Sequence, residues 1–184
     1  MDVFEGEEGA YILNSKDLCM LDHIPELIEA GVDSFKIEGR AKTAYYTAIT
    51  ANAYRRAIDL YCKDPAGYVL PDWVRQEVEK VSHREYYTGF YFGDTDSQRP
   101  EDGGYQRPWE VSALSLGEQG PYGPVFLQKN RFSLGDALEL IDPVGAPRAF
   151  QLERLLDEEG QELTCAPHPH QRLVLPQLTQ VHEK

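Results

Sequence analysis

The sequence predicts an α+β chain in two parts, with α/β units in its first half and antiparallel β-structure in its second. Helix and strand patterns alternate over residues 11–62, which is typical of α/β units. From about Arg84 onward, short β-type runs alternate with turn signals, the pattern of a small barrel or sandwich. The chain has 184 residues, which is too short for a complete (β/α)₈ barrel of about 250 residues.

The first predicted elements are a short strand over residues 11–13 and a helical turn from Leu18, with capping residues at 14–17. Pro25 in a first turn indicates the next helix, and Gly31 indicates its end. Residues 32–37 are then predicted to be a strand inside a parallel sheet, because helices precede and follow them.

Two further helices complete the first half. The clearer one starts after Thr43, a capping residue, and ends at residues 64–67. Its apolar residues recur every three or four positions on one face: Tyr46, Ile49, Ala53, Ala57 and Leu60. The other helix is predicted over residues 72–81, after Pro71, and should bury Trp73, Val74 and Val78.

Turn signals divide the second half into β-type runs over residues 109–116, 125–128, 137–141 and 150–155. The turns are Gly103-Gly104, Gly120-Pro121, Gly135-Asp136, Asp142-Pro143 and Glu159-Gly160. We therefore expect an α/β region over residues 1–93 and a polar linker over 94–108. A β-barrel domain over 109–184 should follow.

Composition and charge argue against several classes of protein. No apolar run approaches the roughly 20 residues that span a bilayer, and residues 1–9 lack the features of a signal peptide. We therefore expect a cytoplasmic protein with no membrane partner. The formal net charge of −13 opposes non-specific binding to nucleic acid. Three widely spaced cysteines predict neither a disulfide framework nor a zinc motif.

Lys36, Glu38 and Arg40 follow or end the predicted strand 32–37, at the edge where α/β barrels place their active sites. Alternation along a strand would point Lys36 and Glu38 the same way. A Glu38–Arg40 pair there suits recognition of a substrate carboxylate or phosphate. The alternative is an ion pair that only closes the end of the barrel.

Asn14, Ser15 and Lys16 are expected at the same carboxyl edge, one unit earlier in the chain. Asn14 and Ser15 at a helix start would bind an anion, and Lys16 would add positive charge. Simple helix capping is the alternative. Cys19 is predicted at that helix start, where the dipole favours a thiolate. A small buried core residue is the alternative for Cys19.

Ordered segments over nearly the whole chain resemble the peptidase U32 (collagenase-like) family. They include Asn14-Ser15-Lys16-Asp17-Leu18-Cys19 and the runs 31–40, 54–58, 82–91 and 100–105. Residues 130–136 and 166–169 resemble the C-terminal barrel domain of that family. The resemblance implies the C-terminal fragment of an α/β (TIM-like) barrel followed by a small antiparallel β-barrel.

The subgroup with the Asn14–Cys19 motif is similar to proteins for prephenate-dependent 5-hydroxylation of the tRNA wobble uridine. That similarity implies tRNA and a small anionic, prephenate-like donor as partners. It also implies an iron–sulfur cluster on four cysteines, with Cys19 at the position of the last. The other three cysteines and the family's Glu-x-Phe signature are absent here. We therefore expect a fragment that alone holds no cluster and is inactive. A partner subunit is one possible source of the rest of the barrel.

Two other functions stay open at this point. A collagenase-like peptidase is one, although no His-Glu-x-x-His or Gly-x-Ser-x-Gly motif occurs. The other is a non-catalytic docking module, because residues 131–141 resemble the domain II barrel of translation factors, which implies RNA docking. Packing against the catalytic barrel is equally compatible, since the bases of this half are scattered in sequence: Lys129, Arg131, Arg148, Arg154 and Arg172.

Overall fold

The computed structural model describes residues 15–93, 104–142 and 145–178. The chain divides into two compact units, with the boundary between Trp109 and Glu110. The first unit contains helices and a pair of parallel strands, and the second contains antiparallel strands. The mixed helix and strand class is therefore confirmed. None of the helices in these ranges has the length and apolar character needed to cross a membrane.

Three α-helices form the body of the first unit: α1 (Ile24–Glu29), α2 (Ala44–Lys63) and α3 (Asp72–Lys80). Thr43 caps α2, because its side chain accepts a hydrogen bond from the backbone N–H of Tyr46. Pro25 lies in the first turn of α1, where its missing N–H costs nothing. The three predicted helices are confirmed to within a residue or two.

The core of the first unit lies between these helices. Its buried members share a helical spacing of three or four and include Ile24, Ala53, Ala57, Tyr61, Val74 and Val78. Trp73 is partly buried against the same core. Leu60, predicted for the buried face of α2, is exposed, and Tyr61 occupies that face instead. Tyr61 lies four residues after Ala57 and Leu60 lies three after it. Four residues are closer to one helical turn of 3.6 residues, so Tyr61 lies more nearly on the face of Ala57.

Two short strands of the first unit, β1 (Asp17–Leu18) and β2 (Tyr86–Tyr87), run parallel. The helix start predicted at residues 14–18 is therefore wrong, and helical structure begins only at the 3-10 turn Leu21–His23. The physical reason is a distant partner: the N–H groups of Asp17 and Cys19 donate to carbonyls of residues 85 and 87. These backbone hydrogen bonds stabilise a strand here in place of the predicted helix cap.

Residues 32–39 form neither helix nor strand, so the strand predicted over 32–37 is wrong. A strand needs a neighbour to satisfy its N–H and C=O groups, and no described segment pairs with this one. Phe35 and Ile37 are partly buried, whereas Val32 is exposed. The strand predicted over residues 11–13 lies outside the described residues.

The second unit is antiparallel throughout its described parts. A hairpin of β3 (Ala113–Gly120) and β4 (Gly123–Gln128) pairs through β4 with β9 (Arg172–Val174). Two further pairs join β5 (Phe132–Ser133) to β8 (Cys165–Ala166) and β6 (Ala137–Leu140) to β7 (Arg148–Gln151). The runs predicted at 125–128 and 137–141 are confirmed.

The other two predicted runs are only partly right. The run 109–116 becomes a strand only from Ala113, and the run 150–155 leaves its strand after Gln151. Gly103 and Pro143 of the predicted turns lie outside the described residues. Strand β4 is buried on both faces, since Phe126 joins one apolar cluster with Leu173, and Val125 joins another with Val174. A closed barrel stays a prediction.

Candidate functional site

Cys19 directly follows β1, so it lies at the carboxyl end of the parallel pair, as predicted for an α/β active site. It is partly buried and packs against the same core as Tyr54 of α2 and Tyr86 of β2. The Tyr54 hydroxyl lies 3.9 Å from Cys19 Sγ and accepts a hydrogen bond of 2.8 Å from Met20 N. The sulfur is therefore held between a strand end and a helix.

Burial determines the protonation of this site. It raises the pKa of the Cys19 thiol, although hydrogen bonds from the backbone of Leu21 and from Tyr54 act in the opposite direction. Burial also raises the pKa of the Tyr54 and Tyr86 hydroxyls. Cys19 is thus a protonated thiol at neutral pH, and binding a metal would release its proton.

Tyr46 of α2 is a third tyrosine with a raised pKa. Burial is the main cause, and the charge of Asp17 raises the pKa of Tyr46 further. Sequence reasoning missed Tyr46, Tyr54 and Tyr86 as site residues. The only available signal was their place in segments with an apolar helical period or a family resemblance.

Lys36, Glu38 and Arg40 are all exposed. Glu38 Oε1 accepts a hydrogen bond of 2.7 Å from the backbone N–H of Arg40, which fixes a local turn. In the described part of the chain, no ion pair joins the side chains of Glu38 and Arg40, and no hydrogen bond joins any of the three residues to Cys19. The carboxylate thus orients backbone, while both cations face solvent.

Ser15 and Lys16 precede β1, so they lie at the amino end of the parallel pair rather than at its carboxyl end. The prediction that they share an edge with Cys19 is wrong, because β1 begins after them and Cys19 follows its end. Lys16 Nζ pairs with Glu85 at 2.8 Å, and Arg84 donates to the carbonyl of Ser15. Asn14 lies outside the described residues.

A polar network at this amino end was not predicted. Asp17 Oδ2 accepts hydrogen bonds from the backbone N–H of Arg84 at 3.0 Å and from Lys42 Nζ at 3.3 Å. Lys42 and Arg84 also flank the Tyr105 ring, at 4.2 and 5.1 Å from its centroid. These residues are far apart in sequence, so no local pattern could have grouped them.

A metal centre requires more donors than Cys19. Among the residues that the structure describes, no group of three or more His, Cys, Asp or Glu side chains is placed to hold a metal ion. Cys62, near the end of α2, is exposed. Cys19 therefore fits a cluster as one thiolate donor, and the described residues do not form a complete ligand set.

The described fold is a unit of helices with one parallel strand pair, followed by a separate antiparallel unit. The model of Peptidase family U32 matches residues 2–101, and that of the Peptidase family U32 C-terminal domain matches residues 119–184. The chain belongs to peptidase family U32.

Known relatives carry two kinds of name. The tRNA hydroxylation protein P of Escherichia coli strain K12 is 39% identical over 171 residues, covering 91% of this chain and 37% of that protein. The collagenase of Porphyromonas gingivalis strain W83 is 33% identical over 86 residues, covering 47% of this chain and 21% of the collagenase.

A crystal structure of the C-terminal domain of a proposed U32 peptidase of Geobacillus thermoleovorans is also similar. It is 34% identical with a TM-score of 0.31, covering 35% of this chain and 73% of that domain chain. The present chain spans about two fifths of the length of the tRNA hydroxylation relatives that it matches.

Proposed function

We propose that this chain is the C-terminal part of a U32 protein that acts in prephenate-dependent 5-hydroxylation of the tRNA wobble uridine. The observation that carries the proposal is the 39% identity with the E. coli tRNA hydroxylation protein, which extends over 91% of the chain and so over both units. The similarity to the collagenase covers 47% of the chain. The shared extent favours the hydroxylation function.

In this proposal the first unit belongs to a TIM-like barrel, and the second is a β-barrel resembling domain II of translation factors. The parallel pair β1–β2, whose strands are separated in sequence by three α-helices, supports the first assignment. An open groove of about 520 Å³ between residues 32–37 and α2, with both apolar and polar lining, gives a place for further barrel elements to pack. A partner subunit or a further part of the same protein would supply them.

Cys19 is proposed as one thiolate ligand of an iron–sulfur cluster in the full-length protein. Its support is the position of the sulfur, which is partly buried at the carboxyl end of β1 and lies 3.9 Å from the Tyr54 hydroxyl. The other ligands would come from outside the described residues. The cluster would supply one-electron chemistry when bound.

Lys36 and Arg40 are proposed to bind the small anionic donor. Both side chains are exposed cations, and a planar guanidinium suits a carboxylate through two parallel hydrogen bonds. Glu38 would act as a positioning residue, because its carboxylate accepts the N–H of Arg40 and holds the turn between them.

The experiment compares Cys19→Ser with Cys62→Ser in the full-length protein, in a deletion strain. We expect Cys19→Ser to lose both iron–sulfur content and wobble-uridine hydroxylation, because a hydroxyl is a poor substitute for a thiolate. Cys62→Ser is the matched control and should retain both. Iron and sulfide assays and mass spectrometry of tRNA give the readouts. Full cluster content and full hydroxylation in Cys19→Ser would contradict the assigned role.

A second pair of variants tests the donor site. Arg40→Lys keeps the charge but loses the bidentate fork, so hydroxylation should fall about tenfold or more, as expected for a loss of about 1.5 to 3 kcal/mol. Hydroxylation by the Glu38→Gln variant should fall less, because the amide oxygen can still accept a hydrogen bond from the backbone N–H of Arg40. Deletion of the gene separates the peptidase alternative: unchanged tRNA with loss of a defined proteolytic activity would favour the peptidase.

A further inference from the structure

The second unit sorts its bases into two groups. Five lysine and arginine side chains occur among its described residues. Three lie in surface ion pairs, with nitrogen-to-oxygen distances of 2.5 to 3.4 Å: Arg148, Arg154 and Arg172. Lys129 and Arg131 form no ion pair within the ranges that the structure describes. Among the described lysine and arginine residues of this unit, they are therefore the two that stay available to an external anion.

Lys129 and Arg131 lie in the connection from β4 to β5, and the connection from β8 to β9 runs alongside it. Phe132 pairs with Ala166 at one end of the two connections. At the other end, Gln128 N donates to the carbonyl of Gln171 at 2.9 Å. The backbone thus places residues 129–131 against residues 167–170.

The second connection brings two imidazoles to the same place. His168 and His170 are both exposed, and His170 N donates to the carbonyl of Gln128, the residue before Lys129. We call the surface made by Lys129, Arg131, His168 and His170 the basic end of the second unit. Each of its side chains can donate a hydrogen bond to a phosphate oxygen.

The backbone of this connection is held in a costly conformation. His170 has φ of +63°, in the left-handed region, and no other non-glycine residue in the described ranges has a positive φ. Such a conformation is strained in a non-glycine residue and persists only where its surroundings enforce it. The buried side chain of Gln128 provides one such constraint, since its Nε2 donates to the carbonyl of Ala166 at 3.1 Å.

We propose that the basic end is a contact surface for the phosphate backbone of RNA. The proposal rests on the proposed function, which supplies tRNA as the RNA. Lysine and arginine contacts to phosphates give affinity without reading sequence, and they fix how a protein is oriented on its nucleic acid. In a chain of net charge −13, such contacts need a place where cations are not already neutralised by carboxylates. The fold provides that place although the sequence scatters its bases.

The test uses two double variants of the 184-residue chain that change the net charge equally. Lys129→Gln with Arg131→Gln removes the unpaired bases, and Arg148→Gln with Arg154→Gln, the matched control, removes two paired ones. Binding of unmodified tRNA is measured by fluorescence anisotropy between about 50 and 200 mM salt. We expect the first variant to lose affinity at least fivefold at low salt, and its salt slope to fall by about 1.5 to 2. The control should change affinity less than twofold.

Three outcomes would overturn the inference: equal losses in both variants, no loss in the first variant, or no tRNA binding by the unaltered chain. Thermal melts of both variants confirm that the second unit is folded. The deletion strain separates this inference from the proposed function. Normal binding and normal hydroxylation with Lys129→Gln/Arg131→Gln would refute the contact surface alone. Suppose instead that Lys129→Gln/Arg131→Gln selectively loses tRNA binding, whereas deletion of the gene leaves wobble-uridine hydroxylation at the wild-type level. That result would refute the hydroxylation function alone.

Discussion

Residues 32–37 and strand β4 are both predicted as strands between turn signals, yet only β4 becomes one. Strand β4 has antiparallel partners on both sides within the second unit, β3 and β9. Residues 32–37 have none in the described ranges. The partner β3 joins β4 through a tight turn, whereas a parallel partner needs a crossover of about a dozen residues or more. A strand prediction is thus safer where a partner is close in sequence.

Burial separates the two segments in the same way. In β4, Val125 is 3% exposed and Phe126 is 4% exposed, because neighbours cover both faces. In the unpaired segment, Val32 is 37% exposed. The free energy gained from burial scales with the apolar area removed from water, so substitutions in the two segments should differ in cost.

The largest effect is expected when a buried side chain that packs against β4 is truncated. Leu173 lies opposite Phe126 and is fully buried, so Leu173→Ala should lower the free energy of unfolding of the second unit by about 2 to 5 kcal/mol. Leu114→Ala is the control in the neighbouring strand β3, where the side chain is 42% exposed. It should cost less than about 1 kcal/mol.

Denaturant unfolding followed by hydrogen exchange of β4 peptides gives this measurement, because the exchange reports the second unit alone. Both tryptophans, Trp73 and Trp109, belong to the first unit and so report the other transition. A cost for Leu173→Ala no larger than that for Leu114→Ala would mean that β4 and β9 are not joined by a packed core.

Sequence reasoning succeeded where the signal is local. The cap at Thr43, the proline in α1 and the turn signal at Gly120-Pro121 all involve residues a few positions apart, and all are confirmed. It failed at residues 14–18, where the partner of β1 is nearly 70 residues further along the chain. Because this segment was predicted as a helix cap and not as a strand, Ser15 and Lys16 were predicted at the wrong edge of the strand pair.

The candidate site follows the same rule. Cys19 was predicted at a helix start after residues 11–13, whereas the structure places it at the end of β1, a strand that the sequence did not predict. The tyrosines around it were missed, since Tyr54 and Tyr86 reach Cys19 from elements 35 and 67 residues away. A tyrosine on an amphipathic helix gives no signal that its hydroxyl meets a sulfur rather than water.

A middle-sized effect is expected where polar contacts, not apolar ones, join distant segments. Asp17→Asn should destabilise the first unit by about 1 to 2 kcal/mol, because its carboxylate accepts from both Arg84 N and Lys42 Nζ. Asp59→Asn is the matched control, since Asp59 forms an exposed ion pair with Arg55. Its cost should stay below about 0.5 kcal/mol. Tryptophan fluorescence during denaturant unfolding measures both, and equal costs would show that the Asp17 network does not hold β1 to β2.

The smallest effect should come from the unpaired segment, and the same substitution in both segments makes the comparison direct. Val32→Ala should change the free energy of unfolding by less than about 0.5 kcal/mol, because an exposed valine has little apolar area to lose. Val125→Ala should cost about 2 kcal/mol, since it removes two buried carbon atoms and leaves a cavity beside Val174. Hydrogen exchange should agree, with slow amides at Val125–Leu127 and fast amides at 32–37, where no ladder protects them. If Val32→Ala were as costly as Val125→Ala and its amides equally slow, residues 32–37 would be packed and paired in solution. The unpaired segment would then be a strand after all, and Lys36, Glu38 and Arg40 would stand at the end of a sheet.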